Sequence, residues 1–207
     1  MALGNDAAAE SRPRRVYAKT PRRRLEIVEA ATTEFAVHGY AGGSLRQIAK
    51  DLQLSVTSIM HHFPSKELLL EAVLEHAAEN AARSINVDAT RDGIRGTIAR
   101  FAADGQEHPQ LLRLLLMLSA EASAADHPAH AWLVARYDRL EQELTGWIIA
   151  DPSLPFEPVG ARVLARRIIA LWDGLQLRWL LHNDFNLVEE LDASVSAILA
   201  VAAQPTK

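Results

Sequence analysis

Between Gly39 and Pro64 the chain has room for two helices of about two turns each and almost nothing to join them. Ser44 stands where a capping hydroxyl would open the first, with Gln47 three residues on completing a capping box. Leu45, Ile48, Ala49 and Leu52 then fall at i, i+3, i+4 and i+7, so this helix buries one stripe. Ser55 can cap the second helix, with Leu54 placed to pack on Ile59 as a hydrophobic staple. Ile59, Met60 and Phe63 supply its inward bulk, and Pro64 ends it, because the residue before a proline is driven out of the helical region. Two short helices two or three residues apart, behind a longer one, have helix-turn-helix spacing, in which the second short helix can enter a major groove.

The flanks read as helix too. Thr20-Pro21 is a start signal, Leu25, Val28, Ala31 and Phe35 recur at helical spacing, and Gly39 supplies the stop. Ser65 caps a fourth helix that runs to about Arg83. Beyond it His108-Pro109 and His127-Pro128 open further helices, 151–158 is a proline-rich loop, and Asn186 with Glu189 resembles a capping box. No segment alternates long enough for a strand, and no repeat of fixed period occurs. The predicted fold is all-α, about nine helices: a flexible basic arm at 1–19, a helix-turn-helix domain at 20–66, and a larger helical domain at 67–207, the part in which ligand binding and dimerisation are expected below. A length of 207 residues with 49% apolar content allows a sizeable core.

Charge is divided unevenly. Residues 11–66 carry ten Lys/Arg against four Asp/Glu, whereas the chain from Glu67 onward carries twelve against twenty. One end attracts polyanions and the other repels them. Arg12, Arg14, Arg15 and Arg22 to Arg24 beside a helix-turn-helix suit phosphate or minor-groove contacts, or else keep a tail solvated. The absence of cysteine excludes disulfides and thiolate metal sites. With no apolar leader segment in the first 20 residues and no run of 18 apolar residues, a cytoplasmic location is expected.

With Ile59, Met60 and Phe63 inward, Val56, Thr57, Ser58, His61 and His62 remain near the outer surface, where they can meet base edges or phosphates. Adjacent histidines lie about 100° apart on a helix and do not converge on one ion. The stretch "HGYAGGSLRQIAKDLQLSVTSIMHHFPSKELLLEAV" resembles the DNA-binding domain of the tetracycline-repressor (TetR) family over residues 20 to 70. That resemblance implies that Ser44 and Arg46 meet phosphates or bases, and that Ser55, Val56, Thr57 and Ser58 lead the recognition helix. It also implies that His61 and His62 contact phosphates, and that Lys66 with the start of the fourth helix holds another phosphate. Thr57 stands where the family commonly has Gly, and Met60 where it often has Tyr.

Within the larger domain, 158–181 is apolar nearly all round in its second half, and Leu187, Leu191, Val195 and Ile198 make a single seam. Together with Leu171, Gly174, Leu175 and Arg178 these are the expected dimer contacts, with an ordinary intramolecular core as the alternative. Phe101, Leu115, Met117, Leu118, Trp132, Arg136, Tyr137, Trp147, Trp172 and Gln176 would line a cavity for a small hydrophobic effector, or equally pack as a core. His127 and His130, near Glu121 and Asp126, are the best metal candidates but lack a clear further ligand. The expected function is a ligand-responsive, homodimeric transcriptional regulator, a repressor released from a pseudo-palindromic operator by a small molecule, with no metal, no cofactor and no enzymatic activity. The competing readings are a ligand-independent architectural DNA-binding protein and a helical enzyme with a histidine/carboxylate site.

Overall fold

The computed structural model describes residues 19–85, 89–154 and 156–202, which form nine helices and no strand. They are α1 (Lys19–Gly42), α2 (Leu45–Asp51), α3 (Val56–His62), α4 (Lys66–Ile85), α5 (Ala89–Glu107), α6 (Pro109–Glu121), α7 (His130–Ala150), α8 (Pro158–His182) and α9 (Leu187–Ala202). The predicted arm, including Arg12, Arg14 and Arg15, lies outside the described residues.

Local signals account for most boundaries. The regular part of α1 stops at Gly39, whose φ of 69° is open to glycine and costly for other residues. Ser44 and Ser55 cap α2 and α3 by accepting from the amides of Gln47 and Ser58. Pro109 opens α6 and Pro158 opens α8. Asn186 caps α9, its Oδ1 accepting from Val188 and Glu189 while its Nδ2 donates to Glu189. The His127-Pro128 start is displaced slightly, with α7 beginning at His130. The box at Ser44 is closed differently from expectation: Gln47 turns away to Asp51, and the Ser44 amide donates to Glu34 of α1 at 2.9 Å.

Two apolar cores organise the helices. The first gathers Ile27, Val28, Ala31 and Phe35 of α1 with Ile48, Ile59, Phe63 and the first half of α4, and it takes in Leu114 and Leu118 of α6 and Leu133 of α7. This core therefore crosses residue 66. Leu25, expected inside, is 44% exposed, because Ile27 and Val28 occupy the inward arc of α1. The second core joins α5, α7, α8 and α9 through residues such as Ile98, Ile148, Leu164, Trp172 and Trp179.

That second core corrects the expected dimer seam. Leu187, Leu191 and Val195 are fully buried within the protomer, and Ile198, Leu171 and Leu175 are half-buried against the same cluster. The inward arc of α9 packs on α5 and α8, so its regular apolar spacing serves this chain's own core. On α8 a different row faces outward: Val163, Arg167, Ala170, Gly174, Leu177 and Leu181, separated by alternating four- and three-residue steps. Gly174 and Arg178, also expected at the interface, are on this exposed side. Beside it α9 exposes Ala193, Ala197, Ala200 and Val201. No helix among the described residues is long and apolar enough to cross a membrane.

Candidate nucleic-acid interface

The face of α3 is set by two anchors. Ile59 is fully buried and Phe63, four residues on, is 1% exposed, so the helix is pinned along one line against α1 and α4. Thr57, Met60 and His61 then share the opposite face at i, i+3 and i+4, all exposed. Met60, expected inside, is 47% exposed. One step past Ile59 turns a side chain about 100° away from the buried line, and a helix of seven residues has only one such line. Val56, expected on the leading edge, is half-buried against the first core, and Ser58 spends its side chain on Ser55, Oγ to Oγ at 2.8 Å. Ser55 remains exposed at the tip.

The flanking cations divide into free and committed ones. Arg46 and Lys50, four apart on α2, are exposed and have no ion-pair partner among the described residues. Their i, i+4 spacing is visible in sequence, although only Arg46 was singled out there. Ser44 is half-buried at the cap, with its hydroxyl proton still available to donate. Arg22 and Arg23 pair with Glu26. Arg24 donates to the carbonyl of His62 at 2.9 Å while its guanidinium sits 4.0 Å from the Phe63 ring centroid, so it caps the C-terminus of α3 from α1. Sequence inspection had placed it with the basic arm.

His61 is exposed and His62 half-buried, their rings 6.1 Å apart. Burial, then the charges of His61, Arg24 and Arg23, hold the His62 pKa below the usual histidine value. Lys66 is more committed than expected: its Nζ donates to the Ala41 carbonyl at 3.4 Å and lies 4.6 Å from the Tyr40 ring centroid. The start of α4 already has an anion. Glu67 is held below the ordinary carboxylate range by its own backbone amide, the Ser65 hydroxyl and the Tyr40 hydroxyl, and Tyr40 is pushed up to about 12, chiefly by burial and then by this bond. A DNA phosphate at this helix end would have to displace or sit beside that carboxylate.

The interface is tied to the rest of the protein through α6. Glu121, at its end, accepts from the Tyr40 amide at 2.7 Å. His127 Nδ1 accepts from the Ala129 amide, which leaves the ring proton on Nε2, 3.6 Å from Glu121 Oε2. His130 is bound to the Ala122 carbonyl at 2.7 Å, so the histidines expected to be the best metal candidates each serve the α6–α7 turn. Among the described residues no group of three or more His, Asp or Glu is placed to hold a metal ion.

Leu112, Leu115, Leu116 and Ser119 on another side of α6 border a cavity of about 90 Å³. Phe101, Leu115, Arg136, Tyr137, Trp147, Trp172 and Gln176 are on its wall, as the sequence had grouped them. Met117, Leu118 and Trp132 are not: Leu118 is fully buried in the first core, Trp132 packs on that core, and Met117 is 37% exposed. Adjacent positions on α6 face opposite cores, so its apolar run serves two clusters. Asp173, outside the residues grouped from sequence, is also on the wall and accepts from the Tyr137 hydroxyl at 2.9 Å.

The family model for bacterial regulatory proteins of the tetR family matches residues 27–73, which span α2, α3 and the adjoining parts of α1 and α4. An HTH-type transcriptional repressor of Streptomyces coelicolor is 35% identical over 116 residues, 56% of this chain and 59% of that protein, so the match spans less than two thirds of the relative. A TetR transcriptional regulator from Legionella pneumophila superposes with a TM-score of 0.71 at 22% identity, covering 84% of this chain and 95% of that one. A transcriptional regulator from Saccharomonospora viridis, solved in complex with choline, gives 0.64 at 21% identity over 87% and 96% of the two chains. With an N-terminal helix-turn-helix of this geometry joined to an all-helical body, the chain carries a domain of the tetR family of bacterial regulatory proteins at residues 27–73 and shares the fold of solved regulators of that family.

Proposed function

We propose that this protein is a transcriptional repressor that binds a two-fold symmetric operator as a homodimer and releases it when a small molecule fills the cavity beside α6. The observation that carries the reading is the exposed Thr57, Met60 and His61 face of α3, anchored from behind by Ile59 and Phe63. Thr57 offers a hydroxyl and a methyl to base edges, and Met60 an apolar contact for a thymine methyl. Arg46, Lys50, Ser44, Ser55 and the two histidines border that face as phosphate contacts. Lys66 keeps two N–H donors beyond its bond to Ala41 and belongs to the same set. The repressor named in the Streptomyces relative supports the direction of regulation.

Pairing two copies would use the outward row of α8 with the small residues of α9. Its alternating four and three spacing is that of a bundle seam, and nothing lies within 4 Å of a Cβ built on Gly174, which leaves that position open for close approach. A two-fold pair is needed because recognition helices must meet successive major grooves roughly 34–36 Å apart.

Release follows from α6 serving both sides. Its Leu112 and Leu115 border the cavity, while its Leu114, Leu118 and Glu121 hold α1. A ligand that moves α6 moves the base of the helix-turn-helix, with α4 carried along through the shared core. The ligand shifts the equilibrium only as far as it prefers the DNA-incompetent spacing. The choline complex of the Saccharomonospora regulator supports a ligand site in this type of body. Selection of an operator from random duplexes, followed by titration against that operator and scrambled DNA at fixed salt, tests the reading. Equal affinity for both would point to architectural binding by charge and remove the specific-repressor assignment.

A further inference from the structure

The cavity that the proposed release mechanism uses has an unusual polar inventory. Its walls are apolar and aromatic, with Phe101, Tyr137, Trp147 and Trp172 supplying ring surface. Among its polar groups most are already satisfied. Thr97 donates to the Gly93 carbonyl, Gln176 Nε2 to the Trp172 carbonyl, and the Tyr137 hydroxyl to Asp173. Arg136 is different. Its side chain is half-buried and lines the cavity, yet it makes no hydrogen bond and no close ion pair among the described residues, meeting Asp173 and Tyr137 through charge alone. Asp173, the acid on the same wall, accepts from the Tyr137 hydroxyl and faces Arg136 through charge without a hydrogen bond to it. A guanidinium keeps its charge in proteins, and the N–H donors of this one have no hydrogen-bond acceptor among the described residues.

We infer that the cavity takes a small organic carboxylate, an apolar or single-ring body with one anionic head that pairs with Arg136. This inference rests on the reading of the cavity as the effector site. The guanidinium can accept a carboxylate by two parallel N–H···O bonds, which fixes orientation as well as charge. The aromatic walls accept the body. At about 90 Å³ the space is smaller than the roughly 150 Å³ that admits benzene in an engineered cavity, so a ring-bearing acid must move the walls, and α6 is one of them. A cation is disfavoured by Arg136 itself, and a neutral amide isostere can accept from it only through one uncharged carbonyl oxygen.

The test is a titration of the full-length protein with four probes: isovalerate, benzoate, benzamide and benzylammonium. Binding is read by calorimetry and by Trp fluorescence, and each probe is added to the protein bound to its selected operator. The expected result is that an acid binds at least tenfold more tightly than benzamide, that benzylammonium does not compete, and that R136Q lowers acid affinity tenfold or more with benzamide unchanged. The circular dichroism of R136Q should match the parent, and R136K should restore part of the affinity. Tighter binding of the amine or the amide, or an R136Q protein that holds the acids as well as the parent, overturns the carboxylate assignment while leaving the cavity as a ligand site. Acid binding that depends on Arg136 but leaves the operator complex intact supports the carboxylate site and overturns the release mechanism. Failure of all four probes to bind overturns the carboxylate assignment.

Discussion

Replacing Gly39 by alanine should separate two costs that meet at one point. At φ 69° and ψ 177° the backbone is in a region nearly confined to glycine, and holding alanine there costs about 1–3 kcal/mol. A Cβ at this position would also lie 2.0 Å from Glu121 Oε1, so the carboxylate has to leave. Its departure breaks the bond to the Tyr40 amide and leaves a part-buried N–H without a partner, another ~1–3 kcal/mol. Gly39→Ala should therefore cost about 2–6 kcal/mol, and Glu121→Ala, which loses the bond and the adjacent His127 contact but imposes no backbone strain, about 1–3 kcal/mol. The bond is lost once in the double variant but counted in both single ones. The double should thus fall short of the additive sum by about 1–3 kcal/mol. Urea denaturation at fixed protomer concentration measures all three stabilities. If the two effects add to within roughly 0.5 kcal/mol, Gly39 and Glu121 do not share one contact between α1 and α6.

The other predictions concern the interfaces and the site. Leu177→Glu should convert dimers to monomers in light scattering with helix content unchanged and operator binding lost, whereas Leu191→Ala should cost about 2–5 kcal/mol of stability through a cavity in the protomer core; a dimeric Leu177→Glu protein would refute the outward seam. Arg46→Ala should weaken binding to all sequences and lower the salt slope by about 1, while Thr57→Ala should change the preferred operator, and a uniform loss from both would remove α3 as the reader. Since the free-state His62 pKa is depressed and a nearby phosphate favours the imidazolium, binding takes up a proton. Affinity should tighten as pH falls through the bound-state value and level off below the free-state one, and His62→Gln should flatten that profile.

The helix-turn-helix was legible because its signals are local. Caps at Ser44 and Ser55, the proline stop at Pro64 and the stripe of Ile48 and Ala49 act over four residues or fewer, and neighbouring side chains report them. The bias of positive charge to the same end was legible as plain composition. Less legible was the fate of individual polar groups. Lys66 and Arg24 read as phosphate contacts in sequence, yet they are engaged by residues 25 and 38 positions away.

The order and extent of the helices, the two-turn pair and the capped start of α3 were determined by the amino-acid sequence itself, since backbone hydrogen bonding and capping link residues close along the chain. Which of two apolar rows on α8 and α9 turned inward, which α6 side chains met the cavity and which met α1, and that Arg136 reached the cavity wall without a hydrogen-bonded acceptor were decided by tertiary packing. A helical period says that a face is apolar; only the helices that arrive from elsewhere in the chain determine which face they cover.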